Sequence, residues 1–201
     1  MPPRIVSPGV LQGSAGAGPR GRDFGILLDE LRAFHTLVEQ EAQALAERHG
    51  PRITCRPGCS ICCRDGLTVF SIEAARIAEE YLELLGKGTS HPKGACAFLD
   101  GSGRCRIYPA RPHVCRTHGL PLSWVEPAED GGWKELRDIC PLNEVGPVLE
   151  DLDTGLVWEI GPHEQRLAEL QRSFDPSMKR VALRDLFGGE EPAPGGKGHP
   201  G

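Results

Sequence analysis

No apolar run in this 201-residue chain approaches the roughly 18 residues of a membrane-spanning helix. Nor does an apolar stretch of about 7–15 residues follow the opening Met-Pro-Pro-Arg, so the N-terminus does not read as a secretory signal. Basic charge is not in excess: 28 acidic residues against 23 basic ones give −5, which argues against general affinity for nucleic acid or a membrane surface. No segment repeats with a solenoid period. Also missing are a glycine-rich phosphate cradle after a strand, a His-Glu-x-x-His motif and any Ser-His-Asp arrangement that spacing would reveal. These absences point to a cytoplasmic protein without membrane or nucleic-acid partners, in a compartment where thiols stay reduced.

What is present in quantity is cysteine. Residues 55–63 read Cys-Arg-Pro-Gly-Cys-Ser-Ile-Cys-Cys, and Cys96, Cys105, Cys115 and Cys140 follow, eight in all. Thiols this dense in a chain with no export signal are better explained by a metal than by disulfides. Close spacing in a glycine-containing turn brings donors together cheaply, and Cys59 and Cys62 form a C-x-x-C pair with Cys55 just upstream. Adjacent Cys62 and Cys63 are expected to project apart and to serve different sites, unless one of them is not a ligand. The candidate metal ligands are therefore Cys55, Cys59, Cys62, Cys63, Cys96, Cys105, Cys115 and Cys140, enough for two four-sulfur sites or for one site plus spare thiols. His113 and His118 lie beside Cys115 as alternative donors. Sulfur donors suit Zn²⁺ and an iron–sulfur cluster alike. Arg56, Arg64, Arg104, Arg106, Arg111 and Arg116 flank the cysteines and are positioned in sequence to offset thiolate charge or to hold an anionic partner.

The 26 glycines and 18 prolines concentrate at the two ends. Residues 1–22 and 188–201 have too little apolar surface to offset the cost of ordering a backbone, about 1–2 kcal/mol per residue, and read as disordered tails. That leaves one cysteine-cluster metal-binding domain over 23–187. Its fold class is mainly α with a small β-hairpin and irregular cysteine-rich loops, an α+β arrangement. Residues 23–49 form the clearest helix, with Leu27, Leu31, Phe34, Leu37, Val38, Ala42 and Leu45 on one stripe, Asp23 at its start and Gly50-Pro51 at its end. Residues 67–70 read as extended, and Ser71 as the side-chain cap of a helix through about Leu85. Cys96 and Cys105 are expected on neighbouring strands of a hairpin around Asp100-Gly-Ser-Gly103. Pro109 and Pro112 bracket a helical turn carrying Cys115. Residues 119–134 read as a long loop or weak hairpin, 141–160 show no clear pattern, and Pro162 and Asp175-Pro176 start helices ending near Phe174 and Phe187.

The compound order Cys55-x3-Cys59-x2-Cys62-Cys63, Cys96-x-Phe-Leu, Gly103-x-Cys105-x-Ile107-Tyr108, Arg111-Pro112-x-x-Cys115-Arg116 resembles the YkgJ-type cysteine-cluster family over roughly residues 50–120. That resemblance implies chelation of zinc, iron or an iron–sulfur cluster through the motif cysteines, with no defined biochemical role. Flagellin lysine N-methylase carries a similar cluster, so the alternative reading is a cluster-dependent modifying enzyme; no catalytic residue can be assigned to it. Cys55-x3-Cys59-x2-Cys62 also satisfies the spacing of radical S-adenosylmethionine enzymes. Those place the motif after the first strand of a parallel barrel, whereas here a long helix precedes it, and Gly188-Gly-Glu-Glu-Pro192 lies too far away to complete the cofactor site. A third reading is a redox- or metal-responsive interaction module, with Trp124 and Trp133 forming a surface for a protein partner.

Overall fold

The computed structural model describes residues 22–56 and 58–188. The two tails expected to be disordered fall outside the described residues, apart from Arg22 and Gly188. Five α-helices, α1 (Arg22–His49), α2 (Ser71–Glu80), α3 (Leu82–Lys87), α4 (His113–Thr117) and α5 (Ile160–Phe174), alternate with five short strands and several 3₁₀ turns. About half of the described residues are helical, which makes the fold mixed α+β with most of the cysteines in its loops. No helix among the described residues is long and apolar enough to cross a membrane.

Helix α1 carries Asp23 in its first turn and Arg48 and His49 in its last, charges that complement the helix dipole. Its buried positions are Leu28, Leu31, Phe34, His35, Val38, Ala42 and Leu45. The stripe is rotated slightly from the expected one, because Leu37 is 50% exposed and His35 takes its place inside. This face packs on α2 and α5, with Leu120 and Trp158 completing the first core. Helix α2 divides two cores: Ile72 enters the first, while Ala74 and Ile77 face a second built from Val69, Phe98, Ile107, Leu183, Leu186 and Phe187. Cys96 and Cys105 rest against that second core.

Ser71 does not cap α2 with its hydroxyl. The fully buried Gln171 of α5 does so from across the fold, its Oε1 accepting from the Ile72 amide at 3.0 Å while its Nε2 donates to Ser71 Oγ at 2.9 Å. Helicity breaks at Tyr81 (φ −127°, ψ 31°), so the expected helix through Leu85 is two helices.

Strand β1 (Thr68–Phe70) pairs antiparallel with β5 (Arg180–Ala182), and β2 (Leu122–Pro127) lies between antiparallel β3 (Trp133–Asp138) and parallel β4 (Trp158–Glu159). Of the two readings of 119–134, long loop or weak hairpin, the hairpin is the one formed, with Ala128–Gly132 as its turn. Residues 141–160 hold three 3₁₀ turns and β4. The expected last helix is absent. Asp175 Oδ1 accepts the Ser177 amide at 2.9 Å and Met178 takes φ 56°, which diverts the chain into β5 and then a 3₁₀ turn over Leu183–Leu186. The Cys96–Cys105 hairpin is reduced to a bridge between Leu99 and Cys105. Parallel pairing among the described residues of named strands is confined to β2 with β4, so the barrel context of a radical enzyme is missing.

Candidate metal centre

The first cysteine quartet lies in the irregular segment between α1 and β1, wound into consecutive turns: the Cys59 amide donates to Arg56 O at 2.9 Å and the Cys63 amide to Ser60 O at 2.9 Å. The turn read at Pro57-Gly58 is spanned by the first of these bonds, although Pro57 itself lies outside the described residues. Cys96 is tied to this segment through the main chain, its amide donating to Cys63 O at 2.9 Å. Cys115 sits within α4, and Cys140 directly precedes the 3₁₀ turn Pro141–Asn143.

Two buried polar clamps hold these pieces in register. The first is Asn143, with no exposed surface: its Oδ1 accepts from Thr54 N (2.9 Å) and Thr54 Oγ1 (2.7 Å), and its Nδ2 donates to Gly119 O (2.8 Å). The same Nδ2 lies 3.6 Å from Cys55 Sγ, and Arg52 Nε donates to Asn143 O at 3.0 Å. Gly119 passes so close that a Cβ built there would fall 2.5 Å from Cys55 Sγ, at φ +116°. Segments 52–55, 119 and 140–143 therefore meet at one point. The second clamp is the Arg184 guanidinium, which donates to Asp65 Oδ1 (2.9 Å), His91 O (2.7 Å) and Ala95 O (2.9 Å), while Asp65 Oδ2 accepts the Gly94 amide at 3.0 Å. This fixes the loop that delivers Cys96. Asn143, Gly119, Asp65 and Arg184 carry no local sequence signal, since each acts through residues far along the chain.

All eight cysteines are free thiols, with Cys55 and Cys62 exposed and the other six partly buried. Their charges are felt in two groups. Cys63 is influenced by Cys62, Cys96 and Cys115, and Cys115 by Cys96, Cys105 and Cys62. Cys55 instead senses Cys140, Cys59 and Cys62. Burial pushes the thiols of Cys55, Cys96, Cys105 and Cys115 up. Interaction with the Cys63 side chain pulls Cys62 down to about 6, while interaction with Cys62 and burial push Cys63 up.

A thiol held protonated by burial and by neighbouring sulfurs becomes a strong ligand when a cation replaces its proton, because the cation removes the repulsion that opposed ionisation. In chemistry and grouping the sulfur set fits zinc or iron. Among the described residues, no three His, Cys, Asp or Glu side chains already stand in coordinating position. The fit therefore rests on donor type and neighbourhood.

Three of the six flanking arginines, Arg106, Arg111 and Arg116, serve the scaffold. Arg111 chelates Glu39 of α1 through Nη2 (2.8 and 2.9 Å) and lies over the Tyr108 ring at 3.9 Å, and Arg116 Nη1 donates to Glu39 Oε2 at 2.8 Å. Arg106 donates to Ala97 O and Thr89 O. Of the two candidate histidines, His118 is exposed and influences Cys62, whereas His113 is buried against Phe34. Burial lowers His113 to about 4. Behind α4 the buried Glu73 accepts the His113 amide (2.8 Å) and His35 Nε2 (3.2 Å), while Arg76 Nη1 approaches His35 Nδ1 at 2.6 Å. A guanidinium can only donate, so Nδ1 is the acceptor and His35 is the neutral Nε2–H tautomer.

Residues 54–141 match the CxxCxxCC family model, described as "Putative zinc- or iron-chelating domain". The match starts just before Cys55 and stops just after Cys140, so it takes in every cysteine of the chain. Here the first spacing is one residue longer than the family's label, Cys55-x3-Cys59. No curated protein and no solved structure matches the chain. Over residues 54–141, which carry all eight thiols, the chain is similar to the CxxCxxCC cysteine-cluster family.

Proposed function

We propose that this protein binds zinc or iron through all eight cysteines, as two neighbouring sulfur sites that hold residues 53–120 and 140 together. Cys63, Cys96, Cys105 and Cys115 make up one site. Cys55, Cys59 and Cys140 make up the other, with Cys62 at their junction. The observation that carries the reading is that separate cysteine segments are bonded to one another: the Cys96 amide to Cys63 O at 2.9 Å, and Asn143, close to Cys140, to Gly119 O at 2.8 Å and beside Cys55 Sγ at 3.6 Å. Bound metal would supply charge neutralisation and a cross-link where hydrogen-bonded structure is sparse; in small zinc domains such binding contributes roughly 10–16 kcal/mol. Free thiols throughout are consistent with a reducing compartment such as the cytoplasm.

The test is elemental analysis, acid-labile sulfide and absorption of the full chain purified without oxygen. Zinc, or iron with sulfide, filling two sites per chain is expected. Cys115→Ser should empty one site and Cys140→Ser the other. Metal-free protein with unchanged folding would overturn the proposal. A second reading, an interaction module, rests on Trp133, which is 74% exposed on the same hairpin face as Val125 at 63%. Pull-downs with Trp133→Ser against the unaltered chain test it, and equal recoveries would remove it.

A further inference from the structure

A cavity of about 380 Å³ lies between β1, α2, α4, α5 and β5. Val69, Phe70, Val114, Leu167 and Ala168 provide its apolar wall. Glu73 also lines it, although only 4% of that residue is exposed. Both donors to Glu73, the His113 amide and His35 Nε2, fall on Oε1; among the described residues Oε2 has no partner. A carboxylate oxygen without a protein donor, on a residue that lines a cavity, can take its donor from a molecule held in that cavity. Arg76 balances the charge only from behind the His35 ring. His113, another lining residue, has a buried Nδ1 without a partner.

The charge of the lining selects the ligand. Glu73 and Glu164 stand against Arg180 alone, and Arg180 is committed to Thr68 O at 2.7 Å and to the face of Phe70 at 4.7 Å. The wall is therefore net negative, with an apolar body and one carboxylate oxygen that no protein donor occupies. We propose that this cavity binds a small primary amine, its ammonium donating to Glu73 Oε2 and its carbon chain lying against Phe70, Val114 and Leu167. The proposal does not depend on the metal reading, since none of the eight cysteines lines the cavity.

The experiment is an NMR titration of the full chain with n-butylammonium, n-butanol and butanoate, following the amides of Val69, Val114 and Ala168. Saturable binding of n-butylammonium is expected, at least tenfold tighter than that of the other two. Glu73→Gln, which keeps the acceptor for His35 and His113, should weaken it by tenfold or more. Gly161→Leu narrows the cavity from the first turn of α5, where a Cβ meets nothing within 4 Å, so it should fold normally and lose binding to a similar degree. No saturation with n-butylammonium, tighter binding of butanoate, or affinity unchanged in a folded Gly161→Leu variant would each overturn the proposal.

Discussion

Gly119→Ala tests the joint between the first cysteine quartet and the Cys140 segment. At φ +116° an L side chain is strained by about 1–3 kcal/mol. The new methyl would also fall 2.5 Å from Cys55 Sγ and 3.5 Å from Asn143 Nδ2, so the sulfur must move. If the shift loosens the Nδ2 bond to Gly119 O, about 1 kcal/mol more is lost. The expected total is about 2–4 kcal/mol in urea unfolding, together with loss of metal from the site that includes Cys55. Gly131→Ala is the control: φ is +83°, yet a Cβ there meets nothing within 4 Å. It should cost about 1–2 kcal/mol from backbone strain alone and leave metal content unchanged. Equal destabilisation by the two variants, or a Gly119→Ala protein as stable and as metal-rich as the unaltered chain, would refute this account of the joint.

Asn143→Ala removes three hydrogen bonds at the same clamp and should cost about 2–4 kcal/mol in urea melts, with reduced metal retention. Chelating the metal should speed amide exchange across 53–66 and 89–120 by tenfold or more while α1 and α5 keep their protection, because those helices are held by the first core. In metal-free protein, the stability contributed by the two buried histidines should be full above about pH 6.5 and fall as pH drops through that value, since burial lowers His35 and His113 and the unfolded chain then binds the extra protons. A second loss should begin below about pH 4.5, because hydrogen bonds from His35 and His113 outweigh burial and hold Glu73 below the ordinary carboxylate range. His35→Gln should flatten the first of these slopes in pH-dependent melts.

Elements governed by their own residues were legible in advance. The α1 periodicity, the Gly50-Pro51 stop and the start of α5 at Pro162 all act within one or two helical turns, and the helices follow them closely. Where a distant partner decided, local signals misled. Asp175-Pro176 has the form of a helix start, but β1 needs an antiparallel partner, and residues 180–182 supply it across 112 positions of sequence. Ser71 has the form of a cap, but Gln171, 99 positions beyond Ile72, fills that role. The arginines beside the cysteines looked available for anions or thiolates. Glu39, 72 positions away from Arg111, holds two of them.

Composition and spacing by themselves determined that this chain is a sulfur-donor protein, because thiol density and the order of the cysteines are properties of the linear chain. Which thiols are neighbours was decided only in three dimensions. Asn143 and Gly119 bring Cys140 to Cys55, and the Arg184–Asp65 clamp brings Cys96 to Cys63, through hydrogen bonds that join residues 24 to 119 positions apart. Such bonds leave no periodic trace in a sequence, since they form only where packing has already removed water from both partners.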